Sequence, residues 1–260
     1  GADPFNSDTP WTIFKLATLG GTTHALDRRF FSEPSIVRTF FTDATRVEET
    51  DEQGVGTGVF KIIKQERPYE AILIGSGDRS TPKSADTEDQ FFMIKDGGVI
   101  TESYVVGASA PAAVIPNAVT TSDLYNFTNN PFGGYVAPLT STEQANLNNL
   151  AAVVSGKSGW YVDYAGGGEK STASALAING VAYFTSFTPA PTSGSTDSCI
   201  LSDGFGTLYA IDLEYGTTIH DWRIWNISAG IPDTPAIIIT KDPELDPPDE
   251  PGEGEPPLPP

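Results

Sequence analysis

Eleven segments of this chain share one make-up: six to nine residues rich in Val, Ile, Phe, Tyr and Thr, bounded by Gly, Pro, Asn, Asp or Ser. β-Branched and aromatic side chains suit a pleated surface, and the flanking residues suit turns, so each reads as a strand. They lie at 35–41, 58–65, 69–77, 90–96, 99–106, 159–165, 172–178, 181–188, 206–213, 217–224 and 235–240. Between two of them stands Asn179-Gly180. Both residue types tolerate positive φ, and the resulting tight turn matches strand twist, so a two-residue hairpin is expected there. Lys95-Asp96-Gly97-Gly98-Val99 reads as a similar tight connection.

One segment breaks the pattern. In 140–156, Leu147, Leu150, Ala151 and Val154 fall at i, i+3, i+4 and i+7, one face of a helix. Ser141 followed by Gln144 gives a capping box, and Gly156 gives a stop. A second, short helix is a weaker reading of 11–20. The stretch 241–260 contains eight prolines and seven acidic residues against one lysine. It lacks backbone donors and repels itself, so it reads as a disordered acidic tail following a single β region over 1–240.

Charge excludes partners more firmly than it suggests them. Fifteen Lys and Arg against 34 Asp and Glu give a net charge of −19. A nucleic-acid binder needs a basic face, so nucleic acid is excluded as a partner, and anionic membrane surfaces are disfavoured. No apolar run approaches the length of a membrane helix, so this segment does not insert into a membrane. Cys199 is alone, which rules out a disulfide within the chain and a cysteine-based zinc site.

The strands also recur in outline. Residues 206–222, "GTLYAIDLEYGTTIHDW", and 89–103, "DQFFMIKDGGVITES", each run from an apolar strand to an Asp, a glycine turn and a second strand. Antiparallel hairpins of this kind on a period of roughly 40–50 residues are how propeller blades read. The expected fold is therefore mainly β, a partial or modified β-propeller of antiparallel blades with one inserted short helix at 140–156. About four blades fit in the available length.

Several segments resemble the type IV pilus tip-associated adhesins of the PilY/PilC family. They are "ILIGSGDRSTPKSADTEDQFFMIKD" (72–96), "DLYNFT" (123–128), "GWYVDY" with "GEKSTASALAINGVAYFTSFTP" (159–189), and "GFGTLYAIDLEYG" (204–216). Residues that carry the likeness are Gly75, Gly77, Asp78, Arg79, Asp96, Gly159, Trp160, Glu169, Tyr209, Asp212 and Gly216, and each reads as structural. The resemblance implies the C-terminal β-propeller region of a longer exported protein. It would sit at the bacterial cell surface, at the pilus tip or outer membrane. Its function would be non-enzymatic pilus biogenesis and adhesion, with minor pilins and a host-cell or matrix receptor as partners. A platform for minor pilins alone and a quinoprotein-like propeller enzyme are the alternatives. The resemblance also implies Ca²⁺, but an alternating Asp/Asn calcium loop is not seen in this sequence.

The residues themselves favour no catalysis and no cofactor. Gly75-Ser76-Gly77 follows a strand, yet no helix follows whose amides would hold phosphate, so it reads as a turn closed by Asp78 and Arg79. Asp86, Glu88 and Asp89, like Asp3, Asp8 and the acidic residues of 43–51, lack calcium spacing. His24 and His220 are the only histidines, and neither sits in a nucleophile motif. Asp212 reads as a turn cap and Trp222 as packing between blades.

Overall fold

The computed structural model describes residues 15–96, 117–190 and 204–238. Two five-stranded sheets dominate it. The first is built from β2 (Ser35–Thr50), β3 (Gly56–Gly75), β4 (Gln90–Asp96), β6 (Tyr125–Asn126) and β7 (Gly159–Asp163), in the order β2-β3-β4-β7-β6. The second runs β12-β11-β10-β8, with β9 also paired to β10. Its strands are β8 (Lys170–Ser171), β9 (Leu176–Ile178), β10 (Val181–Thr188), β11 (Phe205–Asp212) and β12 (Ile224–Ala229). A small parallel pair joins β1 (Ala17–Thr18) to β5 (Val119–Thr120).

The chain is therefore mainly β, and most of its strand pairs are antiparallel. Among the described residues no ring of blades and no closed barrel is present; the two sheets meet face to face. Side chains on a strand alternate between faces, and the core follows that alternation. Leu73, Phe91, Met93, Trp160 and Val162 point from the first sheet into the shared core, where Ala182, Phe184, Tyr209 and Ile211 of the second meet them. The Phe91 and Phe184 rings stack across the interface with centroids 3.6 Å apart. The alternate residues of β4, Phe92 and Ile94, face the other way and are buried with Leu19 and Leu124 beneath β1 and β5. Both faces of β4 are therefore buried, as the run Phe91–Ile94 in "QFFMIKD" requires.

The hairpin at Asn179-Gly180 forms as expected, with φ of 50° and 77° and with Ile178 facing Val181. The helix, α1 (Ser141–Ser155), buries Val154 and packs Leu147, Leu150 and Ala151 on the core. Its cap is one residue earlier than the sequence suggested: Thr140 is extended, accepts from the Glu143 amide, and donates its own amide to the Glu143 carboxylate in return. Thr140 and Glu143 have the same spacing as Ser141 and Gln144, and the charged carboxylate is the stronger acceptor at a helix N-terminus.

Four expectations about secondary structure change. First, 58–65 and 69–77 merge into the single β3, which runs straight through Pro68. Thr42 and Ala44 turn their amides away from β3, toward Glu214 and Ser155. In the alternation of an antiparallel ladder their partners Glu66 and Lys64, and hence Pro68, point away from β2. The missing N–H of Pro68 thus falls on an edge that β4 joins only from Glu70, where proline is tolerated. Second, 217–224 is a braced turn, and the strand begins at Ile224. The Thr218 hydroxyl bonds the carbonyls of His220 and Trp222, and local bonds of this kind compete with a strand. Third, strand structure in 172–178 is confined to Leu176–Ile178, and 235–238 contains none. Fourth, the described part of 11–20 holds β1 and no helix. The strand expected at 99–106, the Gly97-Gly98 turn, Asp3, Asp8, Cys199 and the tail at 241–260 lie outside the described residues.

Candidate functional site

The segments that carried the family likeness are far apart in sequence and meet in one place. β3 leaves the first sheet at Gly75-Ser76-Gly77, and β8 of the second sheet passes directly over it. The Ser171 amide donates to the Ser76 carbonyl over 2.9 Å. A Cβ on Gly75 would stand 1.9 Å from Ser171 Oγ, and one on Gly77 would stand 2.2 Å from the Ser171 carbonyl oxygen. The Ser171 side chain occupies the space beside Gly75 and the β8 backbone the space beside Gly77, so both glycines make room for β8.

A buried polar seam surrounds this crossing. The Ser76 hydroxyl donates to Asp89 over 2.7 Å and accepts from the Gln90 amide over 2.9 Å. The Tyr164 and Ser171 hydroxyls share a hydrogen bond. Glu169, only 5% exposed, accepts from the Tyr209 hydroxyl over 2.6 Å, from the Ser186 hydroxyl, and from the Gly166 amide over 2.9 Å. Burial and the adjoining Glu169 carboxylate push the Tyr209 hydroxyl well above its ordinary pKa, so it stays a donor. Lys170 is fully buried and donates to the carbonyls of Ser84 and Thr81, tying the 78–89 loop down. Burial lowers its pKa, and Asp89, Asp78 and Asp86 oppose that shift. Each of these groups is bonded to another. The seam contains no base beside a free nucleophile, and it joins sheets instead of lining a cleft.

The individual sequence candidates fall as follows. Asp78 is bonded by the Ser80 hydroxyl and amide and by Arg29 at 2.9 Å. The Ser80 hydroxyl above all, with Arg29 helping, holds its carboxyl down at about 2. The expected Asp78–Arg79 network is therefore corrected: Arg79 is exposed and makes no hydrogen bond among the described residues, and the partner comes from Arg29. Trp160 is buried and donates its indole N–H to the Leu213 carbonyl over 2.8 Å. Asp212 accepts from the amides of Glu214 and Tyr215, so it does cap the turn after β11. Gly216 lies under the Phe127 ring, Gly159 lies against the Met93 carbonyl, and Asp96 ends β4 opposite Glu70. Asn126 bonds Asp163 over 3.0 Å and the Thr128 amide. Asp86, Glu88 and Asp89 do not converge: Asp89 turns inward to Ser76 and Asp86 bonds Ser84. Among the described residues no group of three His, Cys, Asp or Glu is placed to hold a metal. Trp222 does not lie between blades; it stacks on His220 at the molecular edge.

Sequence reasoning missed a second buried polar spot. Phe41, Tyr69, Met93, Lys95, Trp160, Glu214 and their neighbours line a half-open pocket of about 20 Å³, room for one water. Tyr69 is 3% exposed and its hydroxyl has no partner among the described residues. The Lys95 ammonium bonds the Ser155 carbonyl over 3.0 Å and lies 4.4 Å above the Phe41 ring. Burial pulls its pKa from 10.5 to about 8, against the opposing pull of Asp43 and Glu214. Its cost to folding is therefore full below pH 8. As pH rises from about 8 toward 10.5 the unfolded chain still holds the proton while the folded one sheds it, so stability rises. Urea unfolding of wild type and Lys95→Met at pH 7, 8, 9 and 10 should show wild type gaining on the variant across that window. Parallel curves would refute the burial of this charge. No signal in the pattern could have found the pocket, because Lys95 sits at the polar end of an apolar strand and reads as a surface residue.

No protein-family profile matches this chain, and no curated protein matches it. Among the described residues no helix is long and apolar enough to cross a membrane. Of the solved structures, the C-terminal domain of PilY1 from Pseudomonas aeruginosa is similar, with a TM-score of 0.33 and 16% identity. The match takes in 57% of this chain, which spans 29% of that one.

Proposed function

We propose that this chain is a non-enzymatic module of type IV pilus biogenesis and surface adhesion, acting at the pilus tip of an exported bacterial protein. One observation carries the reading. The segments that resemble the PilY/PilC adhesins, drawn from residues 75–78, 159–171 and 209, assemble one buried seam. Their polar groups are consumed in holding two sheets together, which supports a scaffold and offers no support for turnover. Minor pilins are the proposed partners, with a host-cell or matrix receptor for adhesion.

Complementation tests the proposal. Deleting the parent gene should abolish surface pili. The full-length protein should restore them, and a version lacking this region should not. Piliation unaffected by loss of this region would defeat the reading. A second expectation concerns metal. The melting temperature should be the same in Ca²⁺ and in chelator, because the acidic side chains near Gly77 are engaged by Ser, Thr and Arg donors. A calcium-dependent rise of several degrees would overturn that expectation.

A further inference from the structure

β12 closes the second sheet and, among the described residues, pairs only with β11. Its other edge presents a row of backbone donors and acceptors without strand partners among the described residues, the usual template for adding a strand. Both of its faces are open as well. Successive residues point to opposite faces, yet Ile224 is 50% and Trp225 53% exposed, and Ile227 is exposed beside a bulge opposite Gly206-Thr207. A terminal strand that buries neither face is half of an interface.

The turn leading into β12 adds chemistry to that edge. The rings of Trp222 and Trp225 stand 5.7 Å apart at 61°, forming an aromatic corner, and His220 stacks on Trp222 at 5.1 Å. The corner is held by bonds that no exposed turn requires. Thr218 bonds the carbonyls of His220 and Trp222, and the Tyr183 hydroxyl pairs with His220 Nε2 over 2.9 Å. Arg223 spends its donors on the carbonyls of Gly216, Thr128 and Phe127.

Charge then selects the occupant. Residues 204–238 contain four acidic side chains, no lysine, and Arg223 as the only basic one, already bonded inward. Asp221 is exposed just before β12, beside the aromatic corner. Indole faces attract cations, and Asp221 beside them, on a chain of net charge −19, disfavours anionic partners. We infer that the free edge of β12 is a docking strip for an extended, lysine- or arginine-bearing segment of another polypeptide. The segment adds as a strand, and one of its cations seats in the Trp222–Trp225 corner beside Asp221. The inference rests on the edge, the corner and the charge, and stands apart from the pilus reading.

Calorimetric titration of the whole chain with three synthetic hexapeptides tests it. The first alternates valine and lysine, the second alternates valine and glutamate, and the third is the lysine peptide N-methylated on alternate amides. The lysine peptide should bind, with affinity falling as salt rises. The glutamate and N-methylated peptides should bind at least about tenfold more weakly. Trp225→Ala and Asp221→Asn, both at exposed positions, should each weaken the lysine peptide about fivefold while the melting temperature holds. No binding of the lysine peptide at millimolar concentration overturns the inference. So does equal binding of the glutamate or N-methylated peptide, or an unchanged affinity in Trp225→Ala. Complementation of piliation reads none of these quantities, so either reading can fail without the other.

Discussion

Replacing Gly77 with alanine is expected to cost about 3 kcal/mol of stability. The new methyl would lie 2.2 Å from the Ser171 carbonyl oxygen and 2.8 Å from Lys170 Cβ. The carbonyl is main chain and is not free to move. β8 is held from behind by β10, with Ser171 opposite Ser186 and Lys170 opposite Phe187, and from the front by the Ser171–Ser76 hydrogen bond. Room for one carbon must therefore come from parting the two sheets at their polar seam, where Lys170 and Glu169 are least able to tolerate water-sized gaps. The φ of Gly77 lies outside the left-handed region, so the loss is steric and not conformational. Gly167→Ala is the control: nothing lies within 4 Å of its added carbon, and its stability should stay within about 0.5 kcal/mol of wild type. Urea midpoints measured on both variants decide the matter. A Gly77→Ala protein as stable as the control would mean that β8 does not cross the glycine pair.

That glycine pair shows where the sequence was legible and where it was not. A strand followed by Gly-Ser-Gly-Asp was recognisable as a turn, because nothing downstream could hold phosphate. What the glycines make room for was not recognisable, since β8 lies more than ninety residues away and the stretch around it, "GEKST" (168–172), looks like any polar loop. Local chemistry was readable wherever it decided the outcome locally. Asn179-Gly180 set its hairpin, and Leu147, Leu150, Ala151 and Val154 set the buried face of α1. The propeller expectation came from hairpin spacing and from the family resemblance, and spacing says nothing about whether hairpins are arranged around an axis or stacked in layers. The stacked arrangement depends on partners such as Phe91 and Phe184, which share no local pattern. Pro68 misled for a related reason. Its effect on a strand depends on which edge its nitrogen faces, and that is set by the register of β2 against β3. The turn at 217–223 was mistaken for a strand because β-branched and aromatic residues fill it; the side chain of Thr218 outweighs their propensity.

Glu169 supplies the other large effect, and it separates a seam from a site. A carboxylate this deep would be destabilising if it stood alone, but three donors converge on it. Removing it in Glu169→Ala strands the buried hydroxyls of Tyr209 and Ser186 and the half-buried Gly166 amide, and leaves a void. A loss of about 4 kcal/mol is expected. Glu169→Gln keeps the shape but turns an NH₂ group toward one of the donors, so about 2 kcal/mol should go. Tyr209→Phe removes one donor and leaves the carboxylate with two, at a cost of about 1 kcal/mol. Because Glu169 and Tyr209 share a bond, the double change Glu169→Gln with Tyr209→Phe should cost less than the two single changes together, by about 1 kcal/mol. Additive losses in that cycle would mean that the 2.6 Å contact contributes nothing. A catalytic carboxylate behaves oppositely: it is strained in the resting protein, and its conversion to glutamine commonly leaves stability unchanged or improved. A stability loss in Glu169→Gln therefore supports the scaffold reading, and a gain would reopen the search for a reaction at this seam.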